Sequence, residues 1–194
     1  MVAEAEGGTR DWRGIDELAG LVGAYCWVEN RIFELSGAWA SDETGGLEPA
    51  LRVWCAGASR RHGALAAHWA ERLPVRAGVD RAALVVAPAG PLAGALGAMG
   101  ATSDAGVGVG TLVQTALPRL RAVYAQHRRT ASAVSEGPIV EVLTAALQDL
   151  CAEISSGRAL LAGSPGGLLK DAALGPDVER ELAETSVFPA VLPS

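Results

Sequence analysis

Apolar side chains recur at three- and four-residue steps along four long stretches of the chain, and no stretch shows the sustained period-two alternation of a half-buried strand. The first runs from about Ile15 to Ala40. Leu18, Val22, Tyr25, Glu29, Ile32, Ser36 and Trp39 share its inner face, Asp11 or Gly14 precedes it, and the polar, Gly-rich SDETGG ends it. The second runs from about Leu47 to Leu73, with Pro49 in the first turn, where a missing N–H costs nothing, and Pro74 as its stop. Leu51, Cys55, Ala58, His62, Leu65 and Trp69 form its stripe. The third spans about Val109 to Val134, with Leu112, Ala116, Leu120, Val123 or Tyr124, His127 and Ala131 on one side. Pro118 lies inside it, so the helix either kinks or starts there. The fourth opens after Ser135-Glu136-Gly137-Pro138 and ends at Gly163-Ser164-Pro165. It carries Ile139, Val142, Leu143, Ala146, Leu150, Glu153, Ile154 and Leu161.

Loop lengths turn these helices into a topology. About six residues separate the first pair and fewer the second, so each pair is an antiparallel hairpin, while some 35 residues lie between the second helix and the third. The expected fold is all-α: a four-helix bundle over residues 15–163, made of two antiparallel hairpins joined by a long crossover. A flexible N-terminal tail is expected at 1–14, and a C-terminal extension at 164–194 with one short helix in GPDVERELAETSVF. Charge is absent from Ala82 to Ser103, a run as long as a membrane span, yet Pro88, Pro91 and four glycines interrupt it and no strong basic cluster guards its ends. It reads as a buried connection with one short helix, and no membrane is expected as a partner.

Composition narrows the function classes. With 49% hydrophobic and 20% charged residues, the chain has the balance of a globular domain with a sizeable core. Aromatics are only 5%, so core volume must come mainly from Leu, Ala and Val, which suits close helix packing. A formal charge of −6 leaves no broad basic surface for phosphate contacts, so nucleic acid is not expected as a partner. Cys26, Cys55 and Cys151 are too few and too scattered for a disulfide framework or a Cys-rich zinc site, and read as small buried hydrophobes. The acidic MVAEAEGGTRDW lacks an apolar segment and reads as no signal peptide; a cytoplasmic protein is expected.

Three segments, WVENRIFELSGAWA (27–40), SRRH (59–62) and GPIVEVLTAALQDLCAEISSGRALL (137–161), give the chain a resemblance to the ferritin-like superfamily over roughly residues 15–163. Members of that superfamily bind two metals with one Glu from each of two helices and a Glu-x-x-His from each of the others. The resemblance places Glu29 at the first-helix glutamate, with Phe33 four residues later, and His62 at the second-helix histidine, with Ser59 where the glutamate stands. No acidic residue occurs between Ala105 and Ser135, so the third-helix carboxylate is missing. On the fourth helix GRALL sets the alignment, putting Leu150 at the glutamate position and Glu153 at the histidine position. The resemblance therefore implies a bundle that has lost the ordinary di-metal centre, with no cofactor.

Two readings of the remaining residues stand open. In one, Glu29, His62, His127 and Glu153 converge at mid-bundle and hold a single Fe, Mn or Zn ion; Glu29, His62 and Glu153 then serve as catalytic groups of a rearranged non-haem oxidoreductase or hydroxylase. In the other, Glu29 and Glu153 are hydrogen-bonded or ion-paired in the interior with His62, Tyr124 or an arginine, without metal, because a buried carboxylate needs such partners or takes up a proton. Burial also suits Glu29 or Glu153 to metal-free acid–base work in the bundle cavity.

Other residues read more plainly. Trp27, Trp39, Trp54 and Trp69 are core side chains or the lining of an apolar ligand pocket. His68 lies off the inner stripe and is solvated, and Arg60-Arg61 and Arg128-Arg129 read as solvated faces. GVGVG (106–110) has the glycines of a phosphate loop but no preceding strand and no following lysine. Ser59 and His62 share a face without the strained turn that presents a nucleophile. The expected function is that of a binding, accessory or scaffold protein, with the metal-dependent and metal-free enzymes as alternatives. Its expected partners are a second copy of the chain, through apolar side chains such as Trp12, Val53 and Val187, and a small apolar ligand or partner protein.

Overall fold

Proline and glycine set the helix ends where the backbone makes them cheapest. In the computed structural model, which describes residues 13–43, 46–132 and 134–164, helix α1 (Ile15–Ser41) starts beyond Gly14 with Asp16 and Glu17 in its first turn. Those carboxylates sit where the helix dipole favours them. Helix α2 (Pro49–Arg72) opens on Pro49, and α6 (Gly137–Gly163) has Pro138 in its first turn. Pro lacks only an N–H that would be unpaired at those positions anyway. Among the described residues every regular element is helical, and no helix is long and apolar enough to cross a membrane. The expected tail (all but its last two residues), the C-terminal extension beyond Ser164, Trp12 and Val187 lie outside the described residues.

The crossover contains a 3-10 turn (Ala82–Leu84) and α3 (Pro91–Ala101), whose Leu92, Leu96 and Met99 are buried. The turn lies close against α1: a Cβ on Gly23 would come within 1.9 Å of the Leu84 carbonyl oxygen, so glycine is required there.

The third long segment starts earlier than its periodicity indicated. Asp104 caps α4 (Ala105–Thr111), its side chain accepting from the backbone N–H of Gly106 at 2.8 Å and of Val107 at 3.1 Å. GVGVG is therefore helix, and Gly108 is present because Trp39 packs against it; a Cβ there would meet Trp39 Cζ2 at 2.6 Å. Pro118 neither begins nor breaks the segment. A π-helical stretch (Leu112–Ala116), closed by Leu117 N–H bonding to the Leu112 carbonyl, absorbs the proline and passes directly into α5 (Leu117–Thr130).

α1 packs on α2, α5 on α6, and α2 on α6, with α3 against α1 and the π-helical stretch. One continuous core results. Its largest fully buried side chains include Trp69, Tyr25, Tyr124, Leu112 and Leu150. Trp39 and Trp54 belong to this core and Trp27 packs against it. Cross-helix hydrogen bonds fix the helices axially: Cys26 Sγ to the Ala66 carbonyl at 3.4 Å, Ser59 Oγ to the Phe33 carbonyl at 3.0 Å, and Trp54 Nε1 to Ser156 Oγ at 3.1 Å. Cys55 is buried with Cys26, whereas Cys151 is exposed: it sits on the outer face of α6, one residue past the inward Leu150.

Candidate functional site

Helices normally bury apolar stripes, so polar side chains on those stripes need partners among themselves. Glu29 on α1, His62 on α2 and Glu153 on α6 are 0%, 2% and 3% exposed. They meet in one layer of the interior. The His62 imidazole lies between the two carboxylates, with Nδ1 hydrogen-bonded to Glu29 Oε2 and Nε2 3.4 Å from Glu153 Oε2 as an ion pair.

Each carboxylate has a second partner. Tyr124 on α5 donates its hydroxyl to Glu29 Oε1 at 2.5 Å and accepts from Trp69 Nε1 at 3.1 Å. Arg61 pairs with Glu153 through Nη2 and Oε1 at 3.0 Å. The arginine thus folds inward from a face that the sequence read as solvated, drawn by a carboxylate that would otherwise be buried beside one cation alone. Two carboxylates, one imidazolium and one guanidinium leave the layer without net charge.

Charge states follow from this geometry. Burial alone would strip the proton from His62, but Glu29 and Glu153 outweigh it and push its pKa up to about 10. Burial works against the Glu153 carboxylate too, yet His62 and Arg61 hold its pKa below the ordinary 4.5. Burial, then the Glu29 charge, keep the Tyr124 phenol protonated far above its usual range, so it remains a donor.

His127 is not in this layer. It sits one turn along α5 from Tyr124, where Tyr25 OH lies 3.0 Å from its Nδ1 and Glu136 Oε2 lies 2.7 Å from its Nε2. Burial first, with Arg13 nearby, lowers its pKa below 6.5. Burial also keeps Tyr25 protonated. The neutral ring then donates from Nε2 to Glu136 and accepts the Tyr25 hydroxyl at Nδ1. Arg13 completes this second layer, 3.5 Å from Glu136 and bonded to Thr130 Oγ1 at 2.6 Å. The two layers touch through aromatic rings, Tyr25 edge-on to Tyr124 with centroids 4.8 Å apart.

The donor set does not suit a metal. A metal on His62 needs a ring nitrogen lone pair, but both ring nitrogens face carboxylates, Nδ1 toward Glu29 and Nε2 toward Glu153. They also point in opposite directions across the ring, so no single position reaches Glu29, His62 and Glu153 together. Ser59 and Leu150, at the glutamate positions implied by the family resemblance, add nothing: Ser59 is bonded to the Phe33 carbonyl and Leu150 is buried among apolar side chains. Among the described residues no three His, Cys, Asp or Glu side chains are grouped to hold a metal ion.

Several site residues escaped the sequence reading. Arg61 and Glu136 looked like surface charge and a helix start; a closer signal for Glu136 was its place nine residues after His127 across a short interhelical turn. Comparison with protein families, characterised proteins and solved structures finds no match for the chain.

Proposed function

We propose that this chain is a ferritin-like four-helix bundle in which a buried carboxylate–imidazolium–carboxylate bridge stands where the superfamily carries its metals, and that it acts by binding, as an accessory or scaffold protein. The observation that carries the proposal is the His62 ring set between two buried carboxylates, Nδ1 hydrogen-bonded to Glu29 and Nε2 3.4 Å from Glu153. A proton supplies the positive charge that holds the two carboxylates together at the bundle centre. The paired helices α1–α2 and α5–α6, with the crossover between them, support the ferritin-like part of the reading. Apolar side chains left at the surface, Phe33 on α1 and Val53 on α2, support a role in contact with a partner, a second copy of the chain included. Cytoplasmic location belongs to the same proposal.

Elemental analysis tests it. The full chain is expressed with added iron, manganese and zinc and purified without chelator. The proposal expects substoichiometric metal, unchanged in His62→Ala. One metal per chain, lost in that variant, would overturn it and place a non-haem metal site at Glu29, His62 and Glu153.

A further inference from the structure

Where the ends of three helices meet, two basic side chains share one buried carboxylate. Glu136 stands just before α6, 2% exposed, and its Oε1 accepts the Ser132 N–H at 3.1 Å. Its Oε2 faces His127, in the last turn of α5, at 2.7 Å and Arg13, just before α1, at 3.5 Å. The two arms differ. His127 is short, fixed within α5 and 3% exposed. Arg13 is long and 15% exposed, so its head has a way out to water. Its Nη2 bonds to Thr130 Oγ1, but the buried Nη1 that pairs with Glu136 makes no hydrogen bond. Among the described residues, the charged and titratable groups facing the His127 ring are these two and Tyr25 on α1. On α5 itself Tyr124 turns its hydroxyl to Glu29, and Arg128 and Arg129 are exposed; on α2 the neighbouring Trp69 carries no charge.

Counting charge sets the consequence. With the ring neutral, Arg13 balances Glu136. A proton on His127 puts two cations on one carboxylate inside the protein, where an unbalanced charge is costly. The ring keeps the shorter bond, which strengthens once both partners are charged, and it repels the guanidinium beside it. Nδ1, which accepts the Tyr25 hydroxyl at 3.0 Å while neutral, then donates to that oxygen instead. We propose that this layer is a pH-sensitive clasp: a proton on His127 displaces Arg13 from Glu136 and frees the start of α1 from the α5–α6 turn while the bundle stays folded. Burial first, opposed by Glu136 and aided by Arg13, places proton uptake by the ring below pH 6.5. Burial works against the Glu136 carboxylate, yet His127, the Ser132 N–H and Arg13 hold its pKa below 4.5.

NMR of the 15N-labelled full chain, titrated from about pH 7.5 to about pH 4.5, tests the clasp at the His127 ring and the Arg13 side-chain Nε–H. The protection of that Arg13 proton from exchange, measured against free arginine at the same pH, should fall about tenfold or more through the midpoint of the ring. Trp54 Nε1–H, bonded to Ser156 elsewhere in the bundle, should keep its shift and report an intact fold. His127→Gln keeps a side-chain N–H for Glu136 but does not titrate, so Arg13 should stay protected throughout. Arg13→Gln removes the competing cation and should raise the ring midpoint by about half a pH unit or more, about threefold in proton affinity. A merely structural Arg13 would not move that midpoint, and this shift alone decides if His127→Gln fails to fold. Arg13 protection that survives the ring transition, the same loss in His127→Gln, or an unshifted midpoint in Arg13→Gln would each overturn the proposal. So would a ring that takes up no proton above about pH 4.5, or loss of the Trp54 signal at the ring midpoint.

Discussion

Replacing His62 by leucine removes the central cation and leaves two carboxylates in the interior. Glu153 keeps Arg61 at 3.0 Å, on a side chain about one third exposed, so part of its charge stays balanced and hydrated. Glu29 keeps only the Tyr124 hydroxyl, at 2.5 Å and with 0% exposure. The loss therefore concentrates on Glu29. Breaking one side of a buried ion pair costs roughly 3–5 kcal/mol, a large part of the roughly 5–15 kcal/mol that holds a domain folded. Urea unfolding followed by circular dichroism at pH 6.5, where the bridge is fully protonated, measures it. The triple variant Glu29→Met, His62→Leu, Glu153→Met removes all three charges and should recover most of the loss, because well-packed apolar replacements of buried ion pairs are often neutral or better. A loss below about 1 kcal/mol in His62→Leu, or a triple variant much less stable than the single one, would refute the reasoning.

Stability should also peak near pH 6.5. His62 is held at about 10 in the folded chain against 6.5 in the unfolded one, so its contribution is complete below pH 6.5 and is lost as pH rises. The loss is at most about 1.4 kcal/mol per pH unit. His127 acts in the opposite sense: burial lowers its folded pKa below 6.5, so acidification through that lowered value costs stability. His62→Leu should flatten the alkaline limb, as read from urea midpoints across pH. Tyr124→Phe deletes a donor to Glu29 and an acceptor for Trp69, and should cost about 1–3 kcal/mol in the same assay. Gly108→Ala should destabilise by about 1–3 kcal/mol through the Trp39 contact. Gly97→Ala, on α3 with nothing near its added Cβ, should stabilise by about 0.5–1 kcal/mol, as thermal melts would show.

Much of the helical frame was legible because its signals are local. Pro49, Gly137-Pro138 and the polar stretch after Ser41 mark ends that any helix of this composition would respect. The start of α4 was not legible, since Gly106, Val107 and Gly108, all of low helix propensity, follow the Asp104 cap, and Gly108 packs against Trp39. Glu29, His62 and Glu153 stood out as polar residues on apolar stripes, and the structure brings those three together. His127 stood out for the same reason but belongs elsewhere. Periodicity tells which face a residue shares and says nothing of its height along the bundle, and one helical turn, about 5.4 Å, is enough to give His127 to Tyr25 and Glu136 instead. Arg61 was misread because a long side chain at the edge of a stripe can point outward to water or inward to a carboxylate, and only the neighbour on α6 decides.

The central claim is that a proton, shared between two buried carboxylates through one imidazole, takes the place of a metal. Histidine-selective 15N NMR of the full chain at about pH 8, above the ordinary histidine range, tests it most directly. The account predicts that both His62 ring nitrogens carry protons at that pH, while His127 carries one, on Nε2. A His62 ring with one bare nitrogen, or one whose signal is altered by bound metal, would contradict it.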